Sequence, residues 1–412
     1  MNAQTHEMNP AGERHERRGT AVIVGASLSG LMTGLALSRA GVDVTMLERV
    51  DEFPRTGASL GRVDEGLLER ITGRKRPDTA STAQGPPAPS VQTWTAVHAR
   101  LRAAVDADPR IELRHNTSVQ SVGQDAHSAW ATTSNHKVFR GDVVIGADGH
   151  RSVVRRSVSP EKPDAAFAGY VLWIGVADES AIPARRRWPR DLDILHSGDN
   201  YLFGYPLPGH DGSVVDGSVV DSSVVPGSRQ LGWGWFDASR NELLRETGCV
   251  VGNVVHHSLT SADIPEATFR QLAVEASDRW PALWRDAILD CIDRRAVIGI
   301  PIAEYVPDRL VNGRLALVGD AAHVPTPMTG SGFSASLDDA EAIAGSVAAG
   351  VRGSAPAKAL RGYEKERLSS VRDMVQSGQQ FSRSFTGRAA GLASLAGDAG
   401  VAVTAGLAPR SR

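Results

Sequence analysis

Six residues, Gly25-Ala26-Ser27-Leu28-Ser29-Gly30, follow an apolar run at residues 21–24 and lead into apolar residues at helical spacing. A glycine-spaced turn between a buried strand and a helix is suited to anion chemistry, because the first amides of a helix are free and carry partial positive charge. Gly25 allows the tight turn and Gly30 lets the helix sit against the strand. The position between them must be small so that backbone can approach a pyrophosphate. Ser27 takes that place; it is the smallest polar change from glycine, and its hydroxyl can donate to a phosphate oxygen. Gly34 continues the spacing by one helical turn, and Gly41 stops the helix. The next strand ends at Glu48, where an acid accepts from ribose hydroxyls and disfavours a 2′-phosphate. The ligand expected from these residues is FAD or NAD, not NADP.

Two further stretches separate these cofactors. "GDVVIGADGHRSVVRR" is a strand running into Asp148–Gly149, with Arg151, Ser152 and Arg155 behind it. "GRLALVGDAAHVPTPMTGSGF" is a strand ending at Gly319–Asp320, then a turn with Pro325 and Pro327, then Gly330-Ser331-Gly332 opening a helix. Asp320 at a strand end can accept from a polyol chain. The free amides of the helix after Gly332 would stabilise negative charge at the N1–C2=O edge of a reduced flavin. A lone Gly-Asp carries no information, whereas the three motifs in this order point to FAD.

The elements that must hold these residues follow from the pattern. The 412 residues suffice for two domains; 41% are hydrophobic, and 45 basic against 47 acidic side chains leave a net charge of −2. That balance argues against a nucleic-acid partner. Cys249 and Cys291 are the two cysteines, expected as ordinary thiols, with a single bridge as the alternative; no metal-ligand spacing occurs. No secretory signal or run of about 18 apolar residues is present, so a cytoplasmic protein with no membrane association is expected. Residues 1–19 read as a disordered leader, 74–90 as a loop, and the SVVD-like repeat at 212–228 as an expanded hairpin tip. "YVLWIGV", "NYLFGYPLP" and "LGWGWF" read as strands, residues 266–292 as helical, and the Ala/Gly-rich tail as weakly packed. Trp233 and Trp235 alternate on one strand and face one side, more as packing than as a pocket wall. The expected fold is α/β (α+β taken as a whole). Residues 20–165 and 296–385 form a discontinuous dinucleotide-binding domain, 166–295 an inserted β-rich domain, and 386–412 a tail.

With these motifs in this order, the chain resembles the class A flavoprotein aromatic hydroxylases, the para-hydroxybenzoate hydroxylase-like group. Within it, "VGASLSGL", "GYVLWIGV", "YPLPG" and "WGW" are most similar to 2,6-dihydroxypyridine 3-hydroxylase-like proteins. The resemblance implies a glutathione-reductase-like Rossmann FAD-binding domain and a β-sheet substrate domain. It implies reduction of FAD by NADH or NADPH as a transient co-substrate, and O2 activation as a C4a-hydroperoxide that hydroxylates an electron-rich aromatic or N-heteroaromatic small molecule. By motif position, Gly25, Ser27, Leu28, Ser29 and Gly30 would face the pyrophosphate, and Glu48 and Arg49 the ribose. His98, Arg100, Val119, Asp148 and Gly149 would border the cofactor. Asp320 would hold the ribityl chain, and Pro327, Gly330, Ser331, Gly332 and Phe333 the flavin ring. His98 stands where the family has arginine, with Arg100 two positions on as its substitute; Ser331 and Ser334 replace the usual Gln and Asn. A base near the ring would help ionise a phenol. The candidates are His323, His196 and Tyr205, then Tyr201, His256 and His257, each with a packing or surface role as the alternative. Arg185 to Arg187 read as a solvated loop that could draw in an anion. A flavin-dependent halogenase would carry Trp-x-Trp-x-Ile-Pro, but here Trp233-Gly-Trp235 is followed by Phe236-Asp237. An epoxidase or a non-catalytic flavin sensor would share the flavin motifs. The sequence leaves the oligomeric state open between monomer and homodimer.

Overall fold

The structure, a computed structural model, describes residues 19–52, 59–60, 63–73, 92–189, 192–198, 200–207, 229–348 and 355–404. The leader (apart from Gly19), the loop at 74–90 and the repeat at 212–228 lie outside these residues.

A six-stranded sheet runs in the order Val311–Asn312, Leu315–Leu317, Val143–Gly146, Thr20–Val24, Asp43–Leu47, Ile111–Arg114. Every neighbour pair is parallel except the edge pair Val311–Asn312 with Leu315–Leu317. Its central strands are apolar and buried on both faces, as a covered parallel sheet demands. The helix Leu28–Arg39 covers one face and packs on Trp94–Asp106 and Gly332–Ala348. Its Leu31, Met32, Leu35 and Leu37 are buried, worth roughly 1.5–3 kcal/mol each. The sheet is therefore assembled from both ends of the chain. It brings the turn after Thr20–Val24, the Asp148 segment and the Gly319 segment to the same strand ends.

The middle of the chain forms a seven-stranded antiparallel sheet, ordered Asp193–Ser197, Asn200–Leu207, Gln230–Asp237, Ala166–Asp178, Val254–Val255, Val250–Val251, with Val297–Glu304 also paired to Ala166–Asp178. Trp173, Trp233 and Trp235 turn to one face, against the helices Glu266–Arg279 and Ala282–Asp293. Trp233 and Trp235 thus pack the core: Trp233 Nε1 donates to Cys291 Sγ at 3.3 Å and Trp235 Nε1 to Asn200 Oδ1 at 2.9 Å. The glycines between them serve the opposite face. A Cβ on Gly234 would lie 2.2 Å from the Phe203 ring, and one on Gly232 2.4 Å from the Tyr205 ring.

Three expectations are corrected. The helical stretch at 266–292 is two helices, because Pro281 cannot continue the first and instead starts the second. The boundary drawn at 295/296 cuts Val297–Glu304 away from the sheet it pairs into, because an apolar strand alone does not say which sheet it joins. The tail expected from 386 is no separate piece: the helix Ala355–Thr404 runs through it, its alanines outweighing the scattered glycines. Cys249 and Cys291 are both free and buried.

Candidate active site

Gly25 has φ +97°, and a Cβ on it would sit 2.5 Å from the Ala147 carbonyl oxygen. A Cβ on Gly30 would lie 2.1 Å from the Gly25 carbonyl oxygen. The turn is thus closed onto the neighbouring strand end on one side and onto its own helix on the other, with no room for a side chain. Glu48 fixes the turn: Oε2 accepts from Ala26 N at 2.7 Å and Oε1 from Val50 N at 3.0 Å. Each oxygen keeps a lone pair, so the same carboxylate can still accept from a sugar hydroxyl. Ser27 is the N-cap of Leu28–Arg39, exposed, and its hydroxyl makes no capping bond; no acid lies in the first turn. The helix therefore presents its partial positive charge and a spare hydroxyl outward. Ser27→Gly should leave FAD affinity within about twofold, and Ser27→Leu should abolish FAD retention on gel filtration. Equal retention by both variants would mean that nothing approaches this backbone.

The Gly319–Asp320 turn lies against the same helix: Gly319 has φ +57°, and a Cβ there would lie 2.5 Å from Ser29 Cβ. The Asp320 carboxylate is exposed at the strand ends, available to a hydroxyl-bearing ligand. Behind the turn, Asp339 is fully buried and accepts from Gly319 N at 3.0 Å, His323 Nε2 at 2.7 Å and Arg367 Nε at 2.9 Å. Burial alone would raise its pKa; the charges and hydrogen bonds of His323 and Arg367 outweigh this and hold it below the usual carboxylate value. Arg155, also fully buried, donates to Pro163 O at 2.8 Å and Ala321 O at 3.1 Å and lies 4.3 Å over the Tyr305 ring. It joins the Asp148 segment to the Asp320 turn.

The second sheet meets the following proline turn, Pro327–Thr329 with Thr326 as its cap, through a chain of buried hydroxyls. The long strand has a register shift between Phe167 and Val171, with Gly169 at φ +89°, and Tyr170 within it keeps the face of Leu172 and Ile174. Tyr170 Oη bonds Thr326 Oγ1 at 2.6 Å and Ser382 Oγ at 3.1 Å, and Ser382 donates to Glu304 Oε1 at 2.6 Å. Burial pushes Tyr170 up to about 12 and raises Glu304 against the hydrogen bonds from Ser382 and Gln379. Around this chain lies an aromatic and aliphatic cluster of Tyr170, Leu172, Phe236 and Ile302, with Met328 of the proline turn and Phe385 of the last helix packed on it.

With the geometry in hand, the chain matches the FAD binding domain family over residues 18–64 and 256–378, two segments that bracket the middle of the chain. It is 28% identical over 342 residues to the 2,6-dihydroxypyridine 3-monooxygenase of Paenarthrobacter nicotinovorans, covering 78% of this chain and 81% of that one. It is 29% identical to the 3-hydroxybenzoate 6-hydroxylase 2 of Aquipseudomonas alcaligenes, over 76% of this chain and 85% of the relative. The solved 2,6-dihydroxypyridine-3-hydroxylase from Arthrobacter nicotinovorans shares the fold, with TM-score 0.69, 21% identity and coverage of 90% and 94%. The chain is class A FAD aromatic hydroxylase-like. Its nucleotide-binding sheet is the Rossmann-type FAD fold, and its cofactor is FAD.

In this hydroxylase-like chain the expected site residues divide into groups. Gly25, Ser27, Gly30, Glu48 and Asp320 converge at the strand ends. Leu28 and Phe333 turn their side chains into the core, which leaves only their backbones for a ligand. Pro327 and Gly330 are exposed, Gly332 is half-buried, and Ser331 is tied to Thr329 at 2.7 Å. His98 comes to the pyrophosphate turn: it stacks on Trp94 at 4.5 Å between ring centroids and lies beside the Ala26 carbonyl and Glu48. Burial and Arg102 hold its pKa below the usual histidine value. Arg100 does not stand in for it, because it pairs with Glu65 at 2.8 Å. Arg49 is exposed and Val119 half-buried. Asp148 is spent on a helix start, accepting from Ser152 and from Val153 N at 2.7 Å, with Gly149 at φ +78° beside it.

The three catalytic candidates are not brought together. His323 is inside the protein on Asp339 and supports the turn, which removes it as a base at the ring. Tyr205 is buried and stacked on Phe203 at 6.1 Å. His196 is exposed on the edge strand, against Tyr201 at 4.5 Å. In the Arg185–Arg187 stretch, Arg186 pairs with Asp286. The residues that the sequence reading passed over are Tyr170, Glu304, Thr326, Asp339, Arg367 and Ser382. A signal existed for Glu304, the one acid in the apolar strand Val297–Glu304. Alternation with Leu172 and Ile174 gives the face of Tyr170, but nothing nearby in the sequence marks its distant partners Thr326 and Ser382.

Proposed function

We propose that this protein is an NAD(P)H-consuming, O2-dependent hydroxylase of an electron-rich aromatic or N-heteroaromatic small molecule, acting in the cytoplasm. The observation that carries the reading is the Tyr170–Thr326 hydrogen bond, which fixes an aromatic sheet face against the proline turn that follows the Asp320 turn and leads into the helix Gly332–Ala348. FAD fits the residues present: a side-chain-free turn, an uncapped helix start with a spare hydroxyl, and an acid exposed at the strand ends. The helix start at Ser27 would hold the diphosphate, Glu48 the ribose and Asp320 the ribityl hydroxyls, with the start of Gly332–Ala348 at the ring edge. When bound and reduced, FAD supplies the activation of O2 and the transfer of one oxygen atom. The protein's own contribution is orientation and a dry, apolar wall. In this reading residues 20–165 with the C-terminal helices hold the cofactor and the middle sheet holds the substrate.

The test is FAD reconstitution followed by NAD(P)H oxidation against hydroxypyridines, phenols and indoles. We expect a yellow protein in which at least one aromatic accelerates oxidation at least tenfold. A protein that takes up no FAD would refute the proposal.

A further inference from the structure

The open face of the seven-stranded sheet is written in its register. One cross-strand row reads Ile300, Leu172, Phe236, Tyr201, His196, and the next reads Ile298, Ile174, Gly234, Phe203, Ile194. Each row crosses five strands, roughly 19 Å at ~4.8 Å per strand spacing. His196, at the outer edge, is the one titratable group in either row apart from the Tyr201 phenol. At the inner end Met328 and Phe385 cover the face, and Phe385 meets Tyr170 edge-on at 5.3 Å. Beyond them the face opens: Phe381 is 47% exposed, Ile194 51%, Ile298 39% and Val176 37%. Along the rows Ile300, Ile174, Tyr201 and Phe203 are half-buried and Leu172 and Phe236 buried, so the face is a partly covered apolar wall, and such a wall beside the proline turn is ligand contact area. A single six-membered ring, ~5 Å across, covers roughly one strand spacing of ~4.8 Å. The charged groups placed against the inner end, among the described residues, are Glu304, buried on Ser382, and Arg383, which is exposed and donates to Gln379 O at 3.2 Å.

We infer that the substrate is a neutral, apolar aromatic of at least two fused rings, lying along these rows with one ring at the Met328 end. This rests on the hydroxylase reading above and narrows it. A benzoate would have to surrender the hydration of its carboxylate to an aromatic wall, and a ring bearing several polar groups would leave them unpaired there. A fused-ring phenol loses little and covers the aliphatic side chains.

The FAD-loaded protein is titrated by calorimetry with 2-naphthol, 3-hydroxybenzoate, 2,6-dihydroxypyridine and urate. 2-Naphthol should bind at least tenfold tighter than each of the others. Phe203→Ala should weaken 2-naphthol at least fivefold with FAD content unchanged, and Ile300→Arg should weaken 2-naphthol while improving 3-hydroxybenzoate. Equal or tighter binding of any of the three small polar compounds, or 2-naphthol affinity unmoved by both variants, overturns the inference. Should 2-naphthol bind as expected yet stimulate neither NAD(P)H oxidation nor oxygen uptake, the inference on ligand class stands and the hydroxylase reading falls.

Discussion

Asp339→Ala lowers the stability of the protein by about 3–5 kcal/mol, the cost of breaking a buried ion pair by removing one partner, and weakens FAD binding at least tenfold. The reason lies in what Asp339 holds. It takes Arg367, His323 and the Gly319 amide at once, with no exposure to water. Its removal leaves a largely buried guanidinium short of a partner and frees the turn that aims Asp320. Asp339→Asn keeps the shape but not the charge and should fall between the two. The sign of the pH effect follows from the depressed pKa. The stabilisation is fully present above the unfolded carboxylate value of about 3.9 and is lost as pH falls through the lower folded value. Urea unfolding of wild type and Asp339→Asn should therefore differ most near neutrality and converge below about pH 4. A constant gap down to low pH would show that the charge of Asp339 is irrelevant and that only its shape matters.

Gly30→Ala should cost at least about 100-fold in FAD affinity, close to 3 kcal/mol, with far less effect on stability than Asp339→Ala. The added carbon would stand 2.1 Å from a backbone oxygen of the turn it follows. Helix and turn must then separate, and the amides that face the diphosphate move with them. Fluorescence titration of FAD measures the loss. Affinity within threefold of wild type would mean that the diphosphate is held elsewhere.

Where sequence spacing and local geometry coincide, the site was legible in advance. The turn from Gly25 to Gly30 and the Gly319–Asp320 turn each follow a strand that runs into a glycine, the acid at Glu48 directly follows the strand Asp43–Leu47, and a parallel sheet brings such strand ends together without further instruction. Side chains whose work depends on partners far along the chain were not legible. Asp148 looked like a cofactor ligand, but its carboxylate is turned to the start of its own helix, where Ser152 and Val153 donate to it. His323 looked like a base, but Asp339, on the next helix, draws it inside. Arg100 looked like a substitute for the family's arginine at the His98 position, but residues two apart lie on opposite sides of a helix, and the neighbour of Arg100 is Glu65. Tyr170 escaped notice although alternation along the strand puts it on the face of Leu172 and Ile174, because its hydroxyl partners Thr326 and Ser382 lie 156 and 212 residues away. The pairing Gly232-Trp233-Gly234-Trp235 could have been read further: large residues on one face imply a cleared aisle on the other, and that aisle holds Phe203 and Tyr205.

The central claim is that oxygen from O2 enters an aromatic ring at the junction of the two sheets. Its most direct test is turnover under isotopically labelled O2 with the aromatic that most accelerates NAD(P)H oxidation. The account predicts one labelled oxygen atom in the ring product for each product molecule formed, with the second reduced to water. Recovery of the aromatic unchanged, with all the label in hydrogen peroxide, would contradict it.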